Sequence, residues 1–293
     1  MKPWLEHILA NPENGNPLKL DPSDGQLHDA DNHTFAVDGD VPVFVEQKPT
    51  PENKFDYTSH YTADAEVFDY FAEETDPLQS KHLTLLRKTV TNCVPEQSKL
   101  LLDVGCGCAF VAKTFANSGK KIVSADIAIA NAKKALQHYP APNHAAVVAD
   151  AYKLPFANNT FDCIVASEII EHTIDPRAFV KALTEKLKPS GLLIISTPYK
   201  EKIAYSLCIH CNCKTPHNAH LHSFDKEKIK QLTNDLPVNV EAMQLVGNKA
   251  IIKLRIINPL YHLGYGTWHL TDRLANRILP RAEHFLITIR KTA

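Results

Sequence analysis

The 293-residue chain has no apolar run near the roughly 20 residues that a bilayer-crossing helix needs, so no membrane span is expected. Its first 25 residues lack a basic start followed by an apolar core, which argues against a secretory signal and for a cytoplasmic protein. Neither sign of charge is in excess, with 32 basic and 33 acidic residues. The net charge is −1, which leaves no electrostatic footprint for nucleic acid or an anionic membrane, and no DNA partner is expected. Seven cysteines, none before Cys93 and several crowded in one loop, do not read as a disulfide framework. Internal repeats and low-complexity segments are absent. What remains is ordinary globular composition, 44% hydrophobic and 22% charged, enough for one large α/β domain with a smaller attachment.

The pattern divides near residue 48. Before it come a short helical turn (Trp4–Leu9), a turn-rich stretch from Asn11 to Pro17, and short strands at Leu18–Leu20, Thr34–Val37 and Val41–Val45. So few apolar residues would struggle to fold alone, so packing on the main body is expected. After a proline-bearing linker, apolar and aromatic residues between Asp56 and Val94 recur at helical spacing and predict two helices. Strands then alternate with helices: Lys99–Val104, Lys121–Asp126, Ala145–Ala149, Phe161–Ala166 and Leu192–Thr197, with helices at Phe110–Ser118, Ala130–His138 and Asp175–Leu187. A Cys/His-rich loop (205–222), a helix from Ser223 to Leu236, a strand at Val238–Val246 and an irregular insertion (250–282) follow. The strand His284–Arg290, with a continuous apolar middle, closes the chain. The expected fold is α/β, a doubly wound, mostly parallel, seven-stranded Rossmann-like sheet over 55–293, with a β-rich module over 1–48.

The apolar run Leu101–Val104 ends in Asp103-Val104-Gly105-Cys106-Gly107 and passes into a helical pattern. Two glycines at a strand-to-helix turn let backbone approach a nucleotide-like ligand without an intervening side chain. Asp126 lies 21 residues beyond Gly105 at the end of the next strand, where a carboxylate can accept both ribose hydroxyls. Asp150 ends the third strand. A dinucleotide-dependent dehydrogenase is disfavoured, because the residue three beyond Gly107 is Phe110 rather than glycine.

Asp103 through Ala109, with Asp126, Asp150, Leu154-Pro155-Phe156, Ser167-Glu168-Ile169-Ile170-Glu171-His172 and Lys188-Pro189-Ser190-Gly191, resembles the class I S-adenosylmethionine-dependent methyltransferases of type 11. The resemblance covers about residues 56–293 and departs at Ala109, where a third glycine is usual. It implies S-adenosylmethionine as cofactor, held by Asp103, Gly105, Cys106, Gly107, Asp126, Ile127, Asp150, Ala151 and Ser167, with Asp150 near the adenine amino group. The methyl-transfer site then falls at Ser167–His172.

Methyl transfer from a sulfonium is an in-line displacement, and a base is needed only for a protonated acceptor. His172 is the candidate base; the alternative is that it packs against the adjoining helix. Glu168 and Tyr199 are lesser candidates. No Asn/Asp-Pro-Pro-aromatic motif follows the fourth strand, and Cys163 sits in an apolar run, which disfavours two nucleic-acid chemistries. The expectation is a small-molecule or lipid-like acceptor; a protein or RNA acceptor, or a scaffold without turnover, stays open, as does the oligomeric state.

Cys208, Cys211 and Cys213, with His217 or His220, have zinc-like spacing; the alternative is that the cysteines carry no metal and His220-Leu221-His222-Ser223-Phe224 is the entrance to a helix. Residues 9–43 resemble a small zinc-ribbon-like module found beside bacterial methyltransferases, but Asn11 and Asn14 stand where its cysteine pair falls, so no metal is expected there. Related modules activate tRNA- and protein-modifying methyltransferases; the alternative is a packing element or lid.

Overall fold

A computed structural model describes residues 1–45, 61–62, 64–65, 67–207 and 214–292. The central sheet comprises β1 (Leu100–Val104), β2 (Lys121–Asp126), β3 (His144–Val148), β4 (Phe161–Ser167), β5 (Leu187–Pro198), β6 (Val238–Asn248) and β7 (Ala282–Lys291). Its order is β6-β7-β5-β4-β1-β2-β3, with β7 antiparallel to both β5 and β6 and the remaining pairs parallel. β1 and β4 are neighbours from which the winding proceeds in opposite directions, so a crevice opens beyond their carboxyl ends.

Helices α1 (Pro77–Asn92), α2 (Phe110–Phe115), α3 (Ile129–His138), α4 (Pro176–Lys186) and α5 (Lys226–Thr233) cover the sheet. Local chemistry sets their ends. Asp175 caps α4 by accepting from the amides of Arg177 and Ala178, with Pro176 at the first helical position. Asp225, not Ser223, caps α5, accepting from the Lys228 amide, so this helix is shorter than its apolar pattern suggested. Asp162 ties β4 to β1, accepting from the amides of Lys99 and Leu100 and from Lys188 Nζ.

The insertion between β6 and β7 differs from expectation. It is not irregular: it folds into α6 (Lys249–Lys253), α7 (Ile257–His262) and α8 (Tyr265–Ile278). Asn248 caps α6 and Gly264 separates α7 from α8, while Pro259 and Gly266 are accommodated in the first turns of α7 and α8. The region before α1 is described only in part, with Tyr61, Thr62, Asp64, Ala65 and Val67 helical. Among the described residues no helix is long and apolar enough to cross a membrane.

The N-terminal segment forms a three-stranded antiparallel sheet (Lys19–Leu20, Leu27–His28, Thr34–Phe35) and a hairpin of Val37–Asp38 with Val41–Pro42. Leu5, Leu9, Leu18 and Leu27 are fully buried in the same apolar cluster as Leu102, Leu154, Phe156 and Phe161. The backbone joins as well. Ala10 N donates to Pro155 O, Ala157 N to Ile8 O and Phe44 N to Val148 O, the last beside β3. Removing the Leu9 side chain should leave a cavity shared by both parts, so Leu9→Ala is expected to destabilise the whole chain by about 2–5 kcal/mol in a single transition. Chemical denaturation followed by fluorescence and circular dichroism checks this; a separate early transition of the N-terminal part would overturn it.

Candidate active site

A cavity of about 390 Å³ opens at the carboxyl ends of β1, β2, β3 and β4. Gly105, Cys106, Gly107, Asp126, Ile127, Asp150, Ala151, Ser167 and His172, nine residues singled out from the sequence, all line it. Asp103 does not; it lies beneath, 1% exposed, with Oδ2 lacking a hydrogen-bond partner. Burial and the neighbouring Asp126 charge push Asp103 well above the usual carboxylate range.

The glycine turn is shaped for close approach. Gly105 has φ +63°, and a Cβ there would lie 2.1 Å from Ile169 Cδ1; Gly107 has φ +45° with the Tyr70 ring 3.6 Å from such a Cβ. Ala109, at the N-cap of α2, adopts φ +50°, ψ +43°. A third glycine would suit that left-handed backbone, and alanine holds it with strain.

Asp126 accepts from the amides of Gly107 (3.1 Å) and Ala128 (3.0 Å) and from Asn131 Nδ2 (3.3 Å), which fixes its carboxylate against the turn. Burial pushes its pKa up despite these donors. The glycine cradle, the orphaned Asp103 oxygen below it and the oriented Asp126 carboxylate fit a nucleoside bearing a ribose diol. Sequence reasoning missed the far wall: Tyr61 and Tyr70 lie before α1, and Leu83, Leu86 and Arg87 lie on it. Among the described residues Arg87 is the one fixed cation in the lining. Only helical periodicity marked this stretch, and periodicity does not say which face meets a ligand.

At the other end of the cavity stand Glu168, His172, Thr173 and Ile174. Glu168 has φ +57°, a strained backbone held by Glu168 N donating to Ser196 O (2.9 Å). Its carboxylate accepts from Ser196 Oγ (2.7 Å) and pairs with His284 Nδ1 (3.0 Å). Burial opposes ionisation of Glu168, but the His284 charge and these hydrogen bonds win and lower its pKa; the same pairing raises His284. His82 stacks on His284 at 5.1 Å, and burial drives it down to about 3, so it is neutral and adds no charge to the pair.

Glu171 is displaced the opposite way. Burial and the Glu168 charge raise it well above the usual range, Thr197 Oγ1 donates to Oε2, and Oε1 has no partner. His172 Nε2 lies 4.0 Å from that oxygen, its Nδ1 faces Ala219 O at 3.4 Å, and its ring meets His220 edge-on at 4.8 Å. Glu171, His172 and His220 offer ligand atoms all within 4.8 Å of one another, a donor set suited to a divalent cation.

Several expectations are corrected or fall elsewhere. Tyr199 does not line the cavity; it packs on Phe285. Trp268 of the insertion is 1% exposed inside a second apolar cluster, and Tyr261 packs against that cluster; neither lines the cavity. Cys208, Cys211 and Cys213 lie outside the described residues, as does the side chain of His217. Cys163 is fully buried, as its apolar neighbours predicted. In the N-terminal segment, Asn11 and Asn14 donate to Asp29 Oδ2 at 2.7 and 2.9 Å, and His33 Nδ1 lies 3.0 Å from it. Burial alone would raise Asp29, but these amide donors hold it well below the usual range.

The sheet order, the glycine turn and the acids at three successive strand ends define a class I methyltransferase fold with a nucleoside crevice. Comparisons agree: residues 102–195 match the family described as "Methyltransferase domain". The chain is 34% identical over 119 residues to a ubiquinone biosynthesis O-methyltransferase of Parvibaculum lavamentivorans, covering 39% of this chain and 46% of that protein. It is 26% identical over 212 residues to the mitochondrial protein of that name from Bos taurus, covering 66% and 51%. It thus spans about half the length of the curated relatives it matches. Among solved structures, a chain of the complex between the Haloferax volcanii Trm112 methyltransferase activator and a methyltransferase aligns with TM-score 0.53 and 13% identity, covering 80% of this chain and 96% of that one. A protein from Pyrococcus horikoshii aligns with TM-score 0.53 and 18% identity, covering 78% and 99%. Residues 102–195 thus carry the match to the methyltransferase family, within a sheet that has the class I methyltransferase fold.

Two outcomes follow from the carboxylates. Asp126→Ala should weaken S-adenosylhomocysteine binding by about 1–3 kcal/mol, the scale of unpaired hydrogen-bonding groups, and calorimetry reads it directly. A raised Asp103 keeps its proton in the folded state at pH values where the unfolded chain has released it, so its ionisation destabilises the fold as pH rises above about 4. The stability difference between Asp103→Asn and the parent should therefore grow as pH rises above about 4 in thermal melts without ligand, and a pH-independent difference would refute the burial argument.

Proposed function

We propose that the protein is an S-adenosylmethionine-dependent methyltransferase that modifies a hydroxyl on a small, lipid-like acceptor. The observation that carries this reading is the single cavity running from the Asp126 and Asp150 carboxylates to Glu168 and His172, lined by Ile169, Ile174, Leu83 and Leu86 on its apolar walls. The relatives' printed names, ubiquinone biosynthesis O-methyltransferase, support oxygen as the acceptor atom, and the apolar walls of the cavity support an apolar acceptor.

Asp103, Gly105, Cys106, Gly107, Asp126, Ile127, Asp150, Ala151 and Ser167 would hold the cofactor, which supplies an electrophilic methyl group on a sulfonium. Arg87 would meet its carboxylate and Asp126 its ribose. The chain's own contribution is alignment and proton removal. With the cofactor supplying the methyl group, His172 would take the proton of a hydroxyl bound beside it as that oxygen accepts the methyl. The unpartnered Glu171 Oε1, 4.0 Å from His172 Nε2, faces the cation so formed. Ionised Glu168 and protonated Glu171 give neighbouring carboxyls different roles from different surroundings.

A second reading is favoured by the crowding of Glu171, His172 and His220: a divalent cation held there would acidify a coordinated hydroxyl, making His172 a ligand rather than the base. A zinc ion on Cys208, Cys211, Cys213 and His217 is a separate proposal resting on sequence spacing alone. A protein or RNA acceptor guided by residues 1–48 has less support, because the segment's leucines are committed to the shared core. A cytoplasmic location agrees with the absence of a membrane-crossing helix among the described residues.

Calorimetric titration of S-adenosylhomocysteine should show saturable binding, and its failure in folded protein would overturn the cofactor assignment. With phenols bearing apolar tails as acceptors, His172→Ala should lower kcat by about 10²–10⁴ while cofactor affinity stays within about twofold. Metal content of the same sample separates the readings: metal that is lost in His172→Ala makes this residue a ligand, and metal-free active enzyme makes it the base.

A further inference from the structure

α8 faces the wrong way for a helix of a water-soluble body. At about 100° per residue, its inward arc carries Trp268, Asp272 and Asn276, and its outward arc carries Leu270, Leu274 and Ile278. The inward polar groups are satisfied: Asp272 accepts from the amides of Gly247 and Asn248, and Asn276 Oδ1 accepts from Asn248 Nδ2. These bonds lock the orientation, so the outward leucines are not a packing error that rotation would relieve. Leu270, Leu274 and Ile278 are 61%, 53% and 84% exposed, and Leu254 and Leu263 of the same insertion are 70% and 66% exposed.

Charge joins this apolar face. Residues 249–281 contain Lys249, Lys253, Arg255, Arg273, Arg277 and Arg281, and Asp272 is their one acidic residue. All six cations are exposed, and among the described residues none is in an ion pair. The chain's net charge of −1 thus averages away a local excess. A groove of about 660 Å³ between α8 and β6 is lined by Met243, Leu245, Leu270 and Leu274 together with Arg273 and Arg277.

We propose that the insertion between β6 and β7 is a docking face for an anionic lipid surface, with the outward leucines entering the acyl boundary and the arginines meeting headgroup phosphates. An acidic protein surface would use the cations but would leave the outward leucines without an apolar counterpart; a bilayer boundary answers both. Another helix of the insertion, α7, packs on α1, which carries Leu83, Leu86 and Arg87 of the cavity lining. Docking is read without turnover, so its failure and the failure of the methyltransferase reading are distinguishable.

The test is co-sedimentation of the full chain with vesicles of phosphatidylglycerol and phosphatidylcholine, against vesicles of phosphatidylcholine alone. Binding should require phosphatidylglycerol and fall with salt. The exposed double variants Arg273→Glu/Arg277→Glu and Leu274→Ser/Ile278→Ser, with folding confirmed by circular dichroism, should each weaken partitioning by at least about tenfold. Absence of binding at low salt, or equal binding by both variants and the parent, would overturn the proposal. So would a concentration-dependent dimer, seen by light scattering, that Leu274→Ser/Ile278→Ser dissolves, because the face would then belong to a second copy.

Discussion

Everything at the site depends on β1 lying between β2 and β4 in one parallel sheet. Parallel pairing buries each of these strands on both faces and ends them along one edge, so the residues that follow them converge. Asp103, Asp126, Asp150 and Glu168 come from four different strand ends, yet occupy or underlie one crevice. The turn after β1 keeps that crevice open, because backbone with positive φ at Gly105 and Gly107 presents no Cβ to it.

The same geometry gathers more acid than an apolar interior accommodates without adjustment, and the structure resolves this in three ways. Asp126 spends its charge on backbone amides; Asp103 lies below with an unpartnered oxygen and a strongly raised pKa; Glu168 is paired with His284 from β7. Glu171 goes the other way, raised first by its burial and then by the Glu168 charge. Strain marks the same neighbourhood, at Ala109 and Glu168. Such groups persist only where the surrounding sheet over-determines them.

The N-terminal segment and the late insertion illustrate opposite uses of apolar residues. In the segment, four leucines enter the main core, and Asn11 and Asn14 donate to Asp29, tying its loops together. In the insertion, a helix with its polar residues turned inward leaves leucines outside beside unpaired arginines. Whole-chain charge concealed this, since net charge says nothing about where the charges lie.

By itself the sequence determined the strand-and-helix alternation, the glycine turn, the acids at the strand ends and the cap at Asp175, because each is written in local spacing and in single-residue chemistry. Ala109 was legible only as a departure from a pattern; its left-handed backbone explains why glycine is usual there. Tertiary structure alone decided that Arg87, Tyr61 and Tyr70 face the cavity, that Trp268 does not, and that His284 rather than a nearby residue holds Glu168. It also decided that α8 points its leucines outward. Helical periodicity defines a helix's faces, but which face turns inward is set by partners elsewhere in the chain: here Gly247 and Asn248, 25 and 24 residues away from Asp272.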